Sequence, residues 1–306
     1  MVKLPMLKLN EIQAFIAVAE AQSVQEAANR LHLTQSAVSR LIQRLETDLG
    51  TVLFDRQTKP LSLTRDGQTA LGHCRRILKS VGDFADAFTD DTTPQGVLCF
   101  GSSHVLARML TGAPLDTLRQ RFPALTLRLL SEWSGPIIEL IRNGQLDGGV
   151  VVLPAGSSPP ADLTTERLTV EEVRGVSTPA LLARHGRTLA GMNEAGWVLQ
   201  PEGCCYRDAL TRALERENLS LNVLVEAYDQ DLLLSLAGRG VGFTLAPTRL
   251  FHNPGTSLVS FEVERFAITI AVWLVRARQR GRMDRVFDVL TDELMQEIAP
   301  YHSAAE

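Results

Sequence analysis

The chain has no surplus of positive charge: 31 Lys and Arg stand against 35 Asp and Glu in 306 residues, a formal net charge of −4. That argues against a generally sticky nucleic-acid binder, so any affinity for DNA must come from local charge and specific contacts. Cysteine is scarce as well, four residues with no C-x-x-C spacing. In a chain of this size that speaks for reduced thiols and against a disulfide framework. No apolar run approaches a membrane span, and the opening MVKLPMLKLN lacks the long apolar core of a secretory signal. A cytoplasmic protein without a membrane partner is expected. His32, His73, His104, His185, His252 and His302 are scattered, with no pair at ligand spacing, so no metal is expected. Ser102-Ser103-His104 lacks the G-x-S-x-G turn of a nucleophile elbow. The glycines of GRGVGFTLAP leave a helix and enter a strand, the reverse of a phosphate-binding loop. With no catalytic constellation and no cofactor motif, the chain does not read as an enzyme.

What is present reads as globular and multidomain, with 45% hydrophobic and 22% charged residues. The most informative stretch runs from Ser23 to Arg65. Ala27, Ala28 and Leu31, then Val38, Leu41, Ile42 and Leu45, recur at three- and four-residue steps, the period of two helices each with one buried face. Ser23 with Glu26 forms a capping box for the first, and Thr34 caps a second running towards Leu49. The short His32-Leu33 connection forces a steep crossing that projects Gln35, Ser36, Ser39, Arg40 and Gln43 outward. Amides, hydroxyls and one Arg suit base edges and phosphates in a major groove; an ordinary solvated face has the same composition. Gly50 then ends the helix, and Val52-Leu53-Phe54 leads through DRQTKP to Leu61-Ser62-Leu63, a hairpin wing whose tip carries Arg56 and Lys59. Cations there suit a minor groove or phosphate. Leu9, Ile12, Phe15, Ile16 and Ala19 supply a preceding helix, which completes a winged helix-turn-helix. From Ser23 to Arg65 the basic residues outnumber the acidic by two, so the bias is local and modest.

These residues resemble the N-terminal domain of LysR-type transcriptional regulators. The likeness rests on Phe15, Ala27-Ala28 with Leu31, Thr34-Gln35-Ser36-Ala37-Val38-Ser39 with Leu45-Glu46, Leu53-Phe54-Asp55-Arg56, and Leu63-Thr64 with Gly67. It implies recognition-helix contacts by Gln35, Ser36, Ser39 and Arg40 and a minor-groove contact by Arg56. Ser23, Gln25, Gln43 and Lys59 complete the candidate DNA-binding set. Ser36 departs from the Pro that many members carry at the start of that helix, at little cost.

After Thr64, Ala70, Cys74, Ile77, Val81, Phe84 and Phe88 step by fours and threes as a heptad seam, and DTTPQG from Asp91 to Gly96 reads as a linker. Self-association as a dimer is expected, hence a pseudo-palindromic double-stranded site with half-sites about 34 Å, or a multiple, apart. Resemblance to the family adds tetramers, with the transcription machinery as a further partner.

From Val97 strands alternate with helices: VLCFGSS, a helix from His104 to Phe122, TLRLLSEW, a helix from Pro136 to Asn143, and GGVVVL. A second run follows SSPP, and Ala267 to Val275 with Met283 to Ile298 return to the first lobe. The expectation is a mostly parallel sheet covered on both faces. The fold class is thus α+β multidomain: a winged helix-turn-helix (1–65), a linker helix (66–91) and a two-lobe α/β effector domain (92–306) of periplasmic-binding-protein type. Lobe I covers about 96–165 and 267–300, and lobe II about 166–266.

Ligands in such sheets sit at the carboxyl ends of strands. That singles out Ser102, Ser103, Trp133 and Ser134 in the first lobe, and Gly203, Cys204, Tyr206, Tyr228 and Asp229 in the second, with a small anionic or oxygen-rich effector. Ser103 reads equally as a plain N-cap, and core packing competes with ligand stacking for Trp133 and Tyr206. Adjacent Cys204 and Cys205, near Arg207 at a helix start, carry an alternative reading as redox-responsive thiols.

Overall fold

The computed structural model describes residues 7–86, 88, 94–251, 258–278 and 283–298. They divide into an N-terminal and a C-terminal unit. In the first, Ile12, Phe15 and Val18 on α1 (Leu9–Ala21) are buried in one core with Ala27 and Ala28 of α2 (Val24–Arg30) and Val38, Ile42 and Leu45 of α3 (Gln35–Leu49). The helix starts follow from side-chain chemistry. Ser23 Oγ accepts the Glu26 N–H at 3.3 Å and Thr34 Oγ1 accepts the Ala37 N–H at 3.2 Å, each satisfying a donor that a first turn leaves free.

The wing is an antiparallel pair, β1 (Phe54–Asp55) and β2 (Ser62–Leu63). Leu53 and Phe54 anchor it in the core, and the Phe15 and Phe54 rings meet edge-on at 5.4 Å. Thr64 Oγ1 accepts the Gly67 N–H at 3.0 Å and opens α4 (Arg65–Asp86). A Cβ at Gly67 would collide with the Leu53 carbonyl oxygen, so only glycine lets this helix lie against the wing.

The expected seam on α4 divides. Cys74 is buried in the winged core and Ala70 packs beside it, whereas Ile77, Val81, Phe84 and Phe88 are exposed. A 22-residue helix is about 33 Å long, so its first half covers its own domain and only its second half presents an unpartnered apolar face. Asp91, Thr92 and Thr93 of the expected linker lie outside the described residues.

The C-terminal unit opens with β3 (Gly96–Ser103), a 3₁₀ helix (His104–Leu110), α5 (Ala113–Arg121), β4 (Leu125–Glu132), α6 (Ser134–Arg142) and β5 (Gly148–Pro154). The single helix expected from His104 to Phe122 is two, because Pro114 in a continuous helix would clash with the Leu110 carbonyl and forfeit its hydrogen bond. Next come β6 (Thr164–Ser177), α7 (Pro179–His185), α8 (Leu189–Ala195), β7 (Trp197–Leu199), α9 (Cys205–Arg216), β8 (Val223–Glu226), α10 (Gln230–Gly238) and β9 (Thr244–Pro247). A second 3₁₀ helix (Thr248–Phe251), β10 (Val259–Phe261), β11 (Ile268–Arg276) and α11 (Asp284–Ile298) complete the order.

Seven strands form one mixed sheet, ordered β10-β6-β11-β5-β3-β4 with β9 also on β6, and β7 pairs in parallel with β8. The mostly parallel expectation is corrected: β11 runs antiparallel between β5 and β6, and β9 and β10 run antiparallel to β6. Periodicity reports which faces of a strand are buried, whereas its direction depends on where the chain returns from. Strand β6 joins the halves, its first part pairing with β11 and its last residues with β9 and β10. The half on β3–β5, with α5 and α11, is the first lobe, and that on β7–β9, with α7–α10, is the second. Val286, Phe287, Leu290 and Leu294 of α11 are buried in the core that Leu98, Phe100, Val150 and Val152 share.

Candidate nucleic-acid interface and ligand cleft

On α3 the buried and polar sides separate cleanly. Val38, Ile42 and Leu45 are buried, while Gln35, Ser36, Arg40 and Gln43 are exposed and Ser39 is half-buried. Arg40 Nε donates to the Ser36 carbonyl at 3.3 Å, and Thr34 and Ser36 hydroxyls lie 3.2 Å apart, so the start of the helix is ordered yet open. Arg56 and Lys59 are exposed on the wing, and Arg56 Nη2 donates to Glu46 Oε2 at 3.0 Å. Gln25 is exposed and donates to Asn29 Oδ1 at 3.3 Å, whereas Ser23 is occupied as a cap. This face therefore offers an open row of amides, hydroxyls and cations with one protruding wing.

In the C-terminal unit the carboxyl ends of β3, β4 and β5 converge on the start of α9. Ser103, Val105, Trp133, Ser134, Gly203 and Cys204 all line a cavity of about 150 Å³ there. Ser134 Oγ accepts the Val152 N–H at 2.9 Å, tying the start of α6 to β5. Gly203 holds φ +99°, and a Cβ on it would sit 2.6 Å from Trp133 Cδ1, so the indole lies directly on the second-lobe backbone. Trp133, His104 and Tyr228 form a ring cluster across the lobes, with centroids 4.7 Å apart for His104 and each partner and 5.7 Å for Trp133 and Tyr228. The Arg108–Asp231 ion pair at 2.7 Å spans the same gap. Behind it lies a second cavity of about 240 Å³, lined by His104, Arg108, Asp229, Gln230, Arg249 and Glu297 among others.

Two sequence expectations for the cleft are corrected. Tyr206 is fully buried in the core and lines neither cavity, because its place in the first turn of α9 turns the ring inward, and its hydroxyl has no hydrogen-bond partner among the described residues. Burial pushes its phenol well above the ordinary value. Ser102 is likewise buried, its hydroxyl donating to the Ser103 carbonyl at 3.2 Å, since alternate residues of a strand face opposite sides. Nor do the thiols behave as a helix start alone would dictate. Burial pushes Cys204 up to about 11 and Cys205 higher still, while Arg207 is engaged with the Gln200 carbonyl and Glu226. Desolvation outweighs the helix terminus, and the neutral Cys204 thiol donates to Gln200 Oε1 at 3.8 Å.

Sequence reasoning did not single out His104, Arg108, Asp231 and Arg249: His104 and Asp231 stand beside the candidates Ser103 and Asp229 along the chain, but only the fold brings these four to one gap. Glu171 and Arg249 form a buried ion pair, and Arg249 Nη2 also donates to the Val105 carbonyl at 3.3 Å. Among the described residues no group of His, Cys, Asp and Glu is arranged to hold a metal, and no helix is long and apolar enough to cross a membrane.

Residues 9–68 match the family model for the bacterial regulatory helix-turn-helix protein, lysR family, and residues 91–297 match the LysR substrate binding domain. The chain is 28% identical over 251 residues to the HTH-type transcriptional regulator CzcR of Bacillus anthracis, covering 81% of this chain and 82% of that protein. It is 36% identical over 148 residues to a probable hydrogen peroxide-inducible genes activator of Mycobacterium xenopi, covering 48% of this chain and 78% of that protein. A full-length OxyR variant from Pseudomonas aeruginosa shares the fold with a TM-score of 0.72 at 19% identity, over 94% of each chain. With both halves matched and the winged and cleft geometry in place, the chain belongs to the LysR-type family of DNA-binding transcriptional regulators, with a C-terminal effector-binding domain.

Proposed function

We propose that this regulator is a cytoplasmic, self-associating switch, without enzymatic activity, that reads a pseudo-palindromic operator and is set by a small molecule between its lobes. The observation that carries the reading is the convergence of three strand ends and the start of α9 on one cavity of about 150 Å³, in the same chain as an open recognition helix. Gln35, Ser36, Ser39, Arg40 and Gln43 meet base edges and phosphates, with Arg56 and Lys59 at the flanking minor groove or backbone. Ile77, Val81, Phe84 and Phe88 pair two copies, and pairs of dimers form the tetramer.

The effector stands on Ser103, Ser134 and Gly203 beside the Cys204 thiol. Its lining has no charged side chain, so an oxygen-bearing end rests on hydroxyls and the helix starts of α6 and α9 and an apolar body on Trp133 and Val105. The cavity draws its lining from both lobes, Trp133 and Ser134 from the first and Gly203 and Cys204 from the second. An effector therefore makes all its contacts only when they are closed, and its affinity differs between open and closed lobes, the condition for shifting an equilibrium. The thiol-based alternative is disfavoured by the burial that keeps Cys204 and Cys205 protonated.

The test is a thermal-shift screen of the full-length protein against a metabolite library, followed by footprinting on a selected operator with each hit. A ligand that raises the melting temperature and changes the footprint or bend is expected. Hits that bind but leave footprint and bend unchanged would refute the switch.

A further inference from the structure

Glu46 stands near the end of α3 with a side chain only 10% exposed, and it serves the wing in two places. Its Oε1 accepts the Leu53 N–H at 2.9 Å, at the foot of β1, and its Oε2 accepts from Arg56 Nη2 at 3.0 Å, beyond β1. Arg56 is itself 61% exposed, so its guanidinium is held at one corner while the rest of its planar fork lies towards solvent. The wing beyond is braced from within: Gln57 N–H donates to Asp55 Oδ1 at 2.9 Å and the Thr58 and Ser62 hydroxyls lie 2.8 Å apart.

Fold alone does not explain this use of a carboxylate. A neutral acceptor would also satisfy the Leu53 N–H, and an ion pair with so exposed a partner adds little to folding. By charge alone, an acid beside a DNA-facing surface is unfavourable, since it repels phosphate. Its second oxygen does one specific thing, which is to fix a wing cation relative to the recognition helix.

We propose that Glu46 is the positioning residue for the wing's DNA contact. It sets the Arg56 guanidinium at a constant distance and angle from the α3 face that carries Gln35, Ser36, Ser39 and Arg40, so that major- and minor-groove contacts are made in one register. The inference rests on the reading that Arg56 meets DNA. Arg is the residue such a device requires, because its fork donates to Glu46 and to the groove at once, whereas a lysine ammonium is a single point.

The probe is a duplex enriched by the wild-type full-length protein from a random-sequence library. E46Q keeps an acceptor for the Leu53 N–H but presents Arg56 with an uncharged amide. Removing an acid near DNA strengthens binding if charge alone matters, so the sign separates the explanations. The expected result is roughly tenfold weaker binding by E46Q, with loss of hydroxyl-radical protection in the flanking minor groove and retained major-groove methylation protection. In an R56A background E46Q adds no further loss. Equal or tighter binding by E46Q with the flanking protection intact overturns the proposal, as does a loss that persists undiminished with R56A. R56A that binds and protects as wild type does sinks the Arg56 reading itself, which distinguishes that failure from this one. Should circular dichroism show E46Q unfolded, R56K decides: loss of the flanking protection by a folded R56K is expected, and wild-type protection overturns the proposal.

Discussion

At Gly67 a Cβ would stand 2.0 Å from the Leu53 carbonyl oxygen. Gly67 lies in the first turn of α4, where helix propensity alone favours alanine, and it is glycine because the Leu53 carbonyl and Leu63 side chain occupy the space a Cβ needs. Gly67→Ala is therefore expected to lose about 1–3 kcal/mol of winged-unit stability, the usual result of overpacking, read as a lower melting temperature by circular dichroism. Alanine melting at or above wild type would show that the contact relaxes freely. Sequence alone marked Gly67 as part of a family pattern without the reason, since Leu53 lies on the far side of the wing and meets it only after folding. Ser103 and Trp133 were legible as strand-end residues. The indole's place on Gly203 was not, because it joins residues from different lobes.

At the scale of elements, α4 shows where a pattern and its use part company. Its heptad steps are real, yet the helix divides them between an internal core around Cys74 and an outward face at Ile77, Val81, Phe84 and Phe88. Burial pushes the Cys74 thiol up to about 11, as its place in the core requires. The Phe84 ring near the end of this helix and the Phe88 ring just beyond it meet edge-on at 5.1 Å and are 68% and 77% exposed, so together they extend its apolar face. On the proposed pairing of two copies through this face, Phe84→Asp is expected to sediment as a lighter species than wild type at micromolar concentration and to bind a two-half-site operator more weakly. An unchanged sedimentation coefficient would refute pairing through this face. A period predicts that a face is apolar, but which molecule covers it depends on how far the helix outruns its own domain.

For the whole molecule, the cleft between the lobes couples chemistry to shape. His104 sits where the first lobe meets Tyr228 of the second, with Ser131 Oγ 2.8 Å from its Nδ1 and Glu132 at 3.9 Å. Burial lowers its pKa below the ordinary 6.5, a shift that Glu132 partly opposes. The unfolded chain takes up the proton first as pH falls, so the neutral ring's contribution is present above 6.5 and is lost on acidification through the depressed folded value. The melting temperature of the full-length protein should fall between about pH 7 and pH 5, and His104→Gln should flatten that part of the curve. Parallel profiles for wild type and variant would place the acid sensitivity elsewhere. Arg108 and Asp231 face the same gap as an ion pair.

The sequence by itself determined the winged unit nearly complete. Its helices, caps and hairpin arise from residues adjacent along the chain, and local periodicity with capping chemistry suffices where contacts are short-range. It also determined the strand ends that line the cleft, since a strand followed by a helix start is a local event. Only the tertiary structure decided the direction of β11 between β5 and β6, the inward turn of Tyr206, and the desolvation that overrides a helix terminus at Cys204 and Cys205. The same holds for the meeting of His104, Trp133 and Tyr228. Each depends on groups far apart in the chain being brought within a few ångströms, and a one-dimensional pattern carries no record of that distance.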